Sequence, residues 1–163
     1  MKQYFVIIIL LLWMPVACIS QLRLATVPHS YAFFTVSVPG ALQADENGNP
    51  INNFITSRFI YIETTGRQPL NIYSITSQGN KYKFTIEEES ANPVIVGNNY
   101  TTNLPMKIKV AKTNCLWKVS YSPVSGKDIA ASLKNIIVSG KADGKSFKLV
   151  LPKDIQLAGA MLY

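Results

Sequence analysis

His29 is the single histidine of this 163-residue chain. A metal centre built on several histidines is therefore excluded. A nucleophilic triad would need an acid and a nucleophile brought to His29 by the fold, and no local signature accompanies it. Cysteine chemistry is equally thin. Cys18 falls in a segment expected to be removed, which leaves Cys115 as the one cysteine of the mature part and excludes an intramolecular disulfide. A lone cysteine in an extended run reads as a small buried apolar residue. Acid–base and nucleophilic catalysis require groups of matched pKa in mutual reach. Nothing here has that spacing, so the chain is expected to be non-enzymatic, with no cofactor and no metal.

Short motifs resolve into turns. Gly140 to Ser146 ends like a phosphate-binding loop, but Ser139 stands where its first glycine is needed, and strand-like runs flank it on both sides. Asp45-Glu46-Asn47-Gly48-Asn49 alternates oxygen donors like a calcium loop, yet its glycine is misplaced and Thr56 occupies the position of the closing glutamate. Asp, Asn and Gly form turns without any ion. Glu87, Glu88 and Glu89 are consecutive, so on a strand they point to alternating faces and form no facing pair of carboxylates. Asn99-Tyr100-Thr101 is a glycosylation sequon, which matters only in a eukaryotic secretory pathway.

Binding chemistry has more to work with. Lysine and arginine number 16 against 9 acids, a formal net charge of +7. Lys81, Lys83, Lys107, Lys109, Lys118 and Lys148 all fall on outward strand phases. If their strands are neighbours they make a basic surface for anionic polysaccharide or lipid headgroups. Lysines also keep sheets soluble and discourage edge pairing, so the same row has a plain reading. Phe59 and Tyr61 would form a small sugar platform if Ile60 and Ile62 face inward. The third reading is a structural or protein-interaction module of a cell envelope or extracellular assembly, which accepts a partner protein at an exposed sheet edge. That reading is placed first, the lysine face second. Nucleic acid is not expected as a partner, because aromatics are not interleaved with the lysines.

These groups sit on short extended runs separated by turn residues. Tyr31 to Val38, Arg58 to Thr65, Leu70 to Ser77 and Lys81 to Glu88 read as strands. Pro93 to Val96, Pro105 to Lys112, Cys115 to Ser122, Ile136 to Ser139, Lys145 to Leu151 and Ile155 to Tyr163 read likewise. Hairpins are expected at Gly79-Asn80, at Thr113-Asn114 and at Asp143-Gly144. Tyr82, Phe84 and Ile86 alternate with Lys81, Lys83 and Thr85; Trp117, Val119 and Tyr121 alternate with Lys118 and Ser120. Such alternation means one buried and one wet face. Ser125-Gly126-Lys127-Asp128 has capping-box spacing, and Ile129 to Leu133 would then make a turn or two of helix.

The N-terminus has its own logic. Lys2 precedes an apolar run from Tyr4 to Met14, too short to span a bilayer comfortably and of signal-peptide length. Pro15 breaks it, and cleavage is placed after Ser20. Lipidation at Cys18, in Pro15-Val16-Ala17-Cys18, and retention as an uncleaved anchor are the alternatives. Residues 21–163 then form a single domain, exported to the periplasm, cell surface or medium. With 48% hydrophobic residues the chain can build a core without a disulfide framework. The expected fold is an all-β, antiparallel immunoglobulin-like β-sandwich with at most one short helix. A small outer-membrane barrel ending at Tyr163 is a minor alternative.

Overall fold

The computed structural model describes residues 27–38, 43–48, 50–51, 54–66, 69–125 and 128–159. The expected signal peptide and its cleavage or lipidation site lie outside the described residues, as do 160–163.

The fold is all-β. Its strands are β1 (Ser30–Ser37), β2 (Gln43–Ala44), β3 (Pro50–Ile51), β4 (Ile55–Thr65), β5 (Asn71–Ser77) and β6 (Asn80–Glu89). They continue as β7 (Val94–Asn98), β8 (Pro105–Ile108), β9 (Asn114–Pro123), β10 (Lys134–Ala142), β11 (Lys145–Lys153) and β12 (Ile155–Leu157). Eight of them form one mixed sheet in the order β11-β10-β5-β6-β9-β4-β1-β12. All its pairings are antiparallel except β1 with β12. The sheet curls into a half-barrel. Its two ends belong to the same stretch of chain, because β12 follows β11 after the single residue Asp154.

Cross-strand partners share a face, so the registers define an inside and an outside. Ala32 opposes Ile60, Ile60 opposes Val119, and Val119 opposes Ile86. These residues join Ile62, Ile75, Tyr82, Tyr121, Ile136, Val138 and Phe147 in the main core. Ile72 and Ile75 are three residues apart yet both face in. A register shift against β10 at this point absorbs the extra residue and leaves Tyr73 on the surface. Gly140, also inward, lies opposite Phe147; a Cβ there would strike the Asn71 carbonyl oxygen and the Phe147 ring.

The outer face is covered over part of its area. Among the described residues β7 and β8 form a two-stranded sheet of their own, tied to the end of β12 by the Ala158 N–H, which donates to the Asn98 carbonyl. They lay Val94, Val96, Met106 and Ile108 on Phe33, Tyr61, Leu116 and Leu157, a second core. Strand β4 is therefore buried on both sides from Arg58 to Thr64, apart from the half-buried Phe59.

Three expectations need correction. The immunoglobulin-like sandwich of two comparable sheets is not evident: one sheet curls around the main core, and the second layer is a hairpin. The hairpin about Thr113-Asn114 does not form. β8 ends at Ile108 and pairs back to β7, while β9 inserts between β4 and β6. Leu116 and Val119 have opposite phases and are both buried, so β9 fits only a position covered on both faces. Finally, the described residues contain no helix. The carbonyls of Ile129 and Ala131 accept from Arg58, and the Leu133 N–H donates to Asp154, so this segment's backbone groups are taken by partners from elsewhere. By contrast, the hairpin expected at Asp143-Gly144 forms there, and the one expected at Gly79-Asn80 turns one residue earlier, at Gln78-Gly79; φ is positive at both residues of each, 50° and 70° in the first and 51° and 83° in the second. That is the geometry of tight two-residue hairpins.

Candidate functional site

Two constellations stand out, one inside the half-barrel and one on its outer face. Inside, Arg58 lies in the same strand phase as Ile60 and Ile62, and its side chain is 0% exposed. Its Nε donates to both Asp128 carboxylate oxygens at 2.9 Å. Nη1 donates to Asp154 Oδ2 at 2.5 Å. Nη2 donates to the carbonyls of Ile129 and Ala131 at 2.6 and 2.8 Å. The guanidinium stands over the Phe34 ring, 5.1 Å from its centroid. Asp154 Oδ1 accepts from the Leu133 N–H and the Ser132 hydroxyl.

Such an arrangement satisfies a buried cation; it leaves no open face for a ligand. Three independent stretches meet at one arginine: β4, the 128–133 segment and the corner between β11 and β12. Tyr121 approaches this cluster, and its hydroxyl has no hydrogen-bond partner among the described residues. Burial, reinforced by Asp154, pushes its phenol far above the ordinary value. Tyr82 is raised by burial and then by Asp128. Sequence reading missed the cluster. The available signal was a charged residue on the inward phase of an otherwise apolar strand.

The outer constellation is a groove of about 540 Å³ across β4, β9 and β6. The outward side chains in its lining are Ser57, Phe59, Lys83, Thr85, Lys118, Ser120 and Ser122. Registers explain their convergence: Phe59 opposes Ser120, which opposes Thr85, while Lys83 opposes Ser122. The Lys118 ammonium lies 5.8 Å from the Phe59 ring centroid, within the range of a cation–π contact. Among the described residues no carboxylate lines the groove. Glu87 stands opposite Lys118 on β6, at its margin. The lining hydroxyls and Lys83 have no side-chain partner within the described protein, so they are available to a ligand. Hydroxyls, ammonium groups and one aromatic face suit a ligand that combines negative charge with hydroxyl groups and an apolar sugar edge.

The lysine row divides. Lys81 opposes Thr76, which opposes Ile137 on β10; Lys148 opposes Ser139 on the same outward face. Lys81, Lys83, Lys118 and Lys148 thus share the outer face of the main sheet. Lys107 and Lys109 belong to the covering layer, alternating with buried Ile108 and Val110. Of the sugar platform, Phe59 is half-buried in the groove, but Tyr61 is only 4% exposed. Ile60 and Ile62 do face inward; the hairpin then covers the opposite side at Tyr61. Phe33 packs edge-on to it at 6.2 Å between centroids, and burial, helped by Glu89, raises its phenol to about 12.

The remaining candidates are plain. His29 is exposed, stacks loosely on Tyr31, and offers its carbonyl to the Glu63 N–H. Cys115 is a half-buried thiol. Asp45 Oδ1 accepts from the Asn47 N–H, a turn that closes on itself. Among the described residues no group of three or more His, Cys, Asp or Glu side chains is placed to hold a metal. Comparison with known proteins finds no matching family model, no matching curated protein and no matching solved structure.

Proposed function

We propose that the chain is an exported, non-catalytic binding module whose outer sheet face holds an anionic glycan. The observation that carries this reading is the groove: among the described residues it gathers Lys83, Lys118, Phe59 and the hydroxyls of Ser57, Thr85, Ser120 and Ser122, with no acid in its lining. Aromatic faces take the apolar side of a sugar ring, hydroxyls exchange hydrogen bonds with it, and lysines meet carboxylate or sulfate. Export rests on the short N-terminal apolar run and Pro15.

Partner-strand addition, placed first from sequence, ranks below it. The end strand β11 carries Lys145, Lys148, Pro152 and Lys153, and lysine and proline are residues that discourage edge pairing. A lipid-spanning barrel is disfavoured too, since the outward positions of β6 and β9 carry lysine, serine and threonine where lipid would demand apolar side chains.

The test is retention on an immobilised uronate- or sulfate-bearing polysaccharide, with neutral dextran as control. Retention on the charged polymer alone, lost on raising salt and in Lys83→Glu/Lys118→Glu, supports the reading. Equal retention on dextran, or indifference to both salt and the substitutions, overturns it.

A further inference from the structure

The β7–β8 hairpin has an outward side with a character of its own. Inward, it is fixed by the second core. Exposed on the hairpin and its turn are Ile95 (67%), Tyr100 (63%) and Leu104 (65%), with Tyr100 bordering a pocket beside Lys153 and Gln156. Ile95 stands opposite Lys107 in the ladder, and Lys109 continues the same phase. Tyr100 and Leu104 are held out by a well-bonded turn. Asn99 Oδ1 accepts from the N–H groups of Thr101 and Thr102, at 2.9 and 3.0 Å. The Asn99 N–H donates to the Leu104 carbonyl, and the Tyr100 N–H donates to the Gln156 carbonyl of β12. From Ser90 to Lys127 the chain contains no aspartate or glutamate.

We infer that this hairpin face is a peripheral contact for an anionic lipid surface. Large apolar side chains displayed by an ordered turn gain little from a polysaccharide, but they gain from the headgroup–acyl boundary. A tyrosine ring sits naturally at headgroup depth, and lysine stems lie along the interface with their charges at the phosphates. The hairpin and its turn carry no acid of their own to repel a negative leaflet. The contact is separate from the groove: it lies on the covering layer and uses none of the groove's residues.

The test is flotation of the processed chain with vesicles of pure phosphatidylcholine and of phosphatidylcholine mixed with phosphatidylglycerol. Parent and variants carry the same N-terminus, so that segment contributes equally. The parent should float preferentially with the anionic vesicles. Tyr100→Ser/Leu104→Ser should weaken partitioning about tenfold or more, and Lys107→Glu/Lys109→Glu at least as much, since each lysine near such a surface is worth about fivefold. Lys83→Glu/Lys118→Glu should leave it within about twofold. An environment-sensitive fluorophore on Leu104→Cys, in a Cys115→Ser background, should shift to the blue on anionic vesicles only. Partitioning unchanged by the hairpin substitutions together with an unshifted fluorophore, or equal loss on charge reversal in the groove, overturns the inference. So does binding of a protein partner that the hairpin substitutions abolish while vesicle binding persists.

Discussion

Arg58 and Asp154 form a fully buried ion pair, Nη1 to Oδ2 at 2.5 Å with both side chains 0% exposed. The pair sits where the chain leaves one end of the sheet, β11, and enters the other, β12. Its position makes it a fastening of the half-barrel. Removing one partner strands a charge without water, which costs about 3–5 kcal/mol. Arg58→Met is expected to lower unfolding free energy by that amount. Asp154→Asn should cost less, because an amide oxygen still accepts from Ser132 and Leu133. The double variant should fall short of the sum by about 0.5–3 kcal/mol. Denaturant titrations of the three proteins measure this, and strict additivity would show that the pair contributes no coupling.

Tyr121 makes the opposite case. Among the described residues its hydroxyl is buried without a partner, a situation that costs about 1–3 kcal/mol. Tyr121→Phe keeps the ring against Tyr82, 5.5 Å away between centroids, and removes the orphan group. The variant should be as stable as the parent or more so, by up to about 1 kcal/mol. A clear loss of stability would reveal a partner for the hydroxyl in solution.

Alkaline behaviour follows from the buried phenols. Tyr61 is raised from 10.0 to about 12, and Tyr82 and Tyr121 are raised as well, in each case chiefly by burial. Below pH 10.0 the phenols are protonated in both folded and unfolded chains, so their contribution is complete. Above it the unfolded chain loses these protons first. Stability therefore falls as pH climbs from 10.0 through the folded value of about 12 for Tyr61. Denaturant midpoints measured across this range should decline in the parent and decline less in Tyr61→Phe, relative to its own value at neutral pH.

Much of this was legible in the residues. Alternation in Tyr82-Phe84-Ile86 and in Trp117-Val119-Tyr121 identified strands and their inward phase, because period two is set by backbone geometry. Asp143-Gly144 identified a hairpin because few residues accept positive φ at both turn positions. Strand order was not legible. Whether Pro105–Ile108 pairs with the strand before it or after it depends on which apolar surfaces remain uncovered, and Leu116 is buried by chain distant in sequence. The lysine row shows the same division: phase tells which side a lysine faces, not which layer carries it, so Lys107 and Lys109 separate from Lys83 and Lys118. Arg58 was readable as an anomaly, yet its partners lie 70 and 96 residues away.

Gly140 tests how closely β5, β10 and β11 are packed. Its φ is not in the left-handed region, so alanine carries no backbone penalty there. The cost comes from collision with a backbone oxygen of Asn71, which cannot yield, and with the Phe147 ring. Gly140→Ala should therefore destabilise by about 1–3 kcal/mol. Gly140→Ala/Phe147→Leu should recover only the part due to the ring. A neutral Gly140→Ala would mean that the strands are farther apart than described.

The groove makes a prediction that gains rather than loses function. Glu87 stands opposite Lys118 at the edge of the basic depression, and no ion pair within 4.0 Å joins them among the described residues. Glu87 therefore adds negative potential without being needed to neutralise a fixed partner. Glu87 is exposed, so replacing it should leave stability within about 0.5 kcal/mol. Glu87→Lys should then raise affinity for an anionic polysaccharide at low ionic strength, and the gain should shrink as the screening length falls with added salt. Lys83→Glu should change affinity in the reverse direction, with its loss likewise greatest at low salt. Retention volumes on the charged polymer, read at several salt concentrations, give both slopes. If Glu87→Lys and Lys83→Glu shift retention in the same direction, or neither shifts it, the ligand does not lie in this groove.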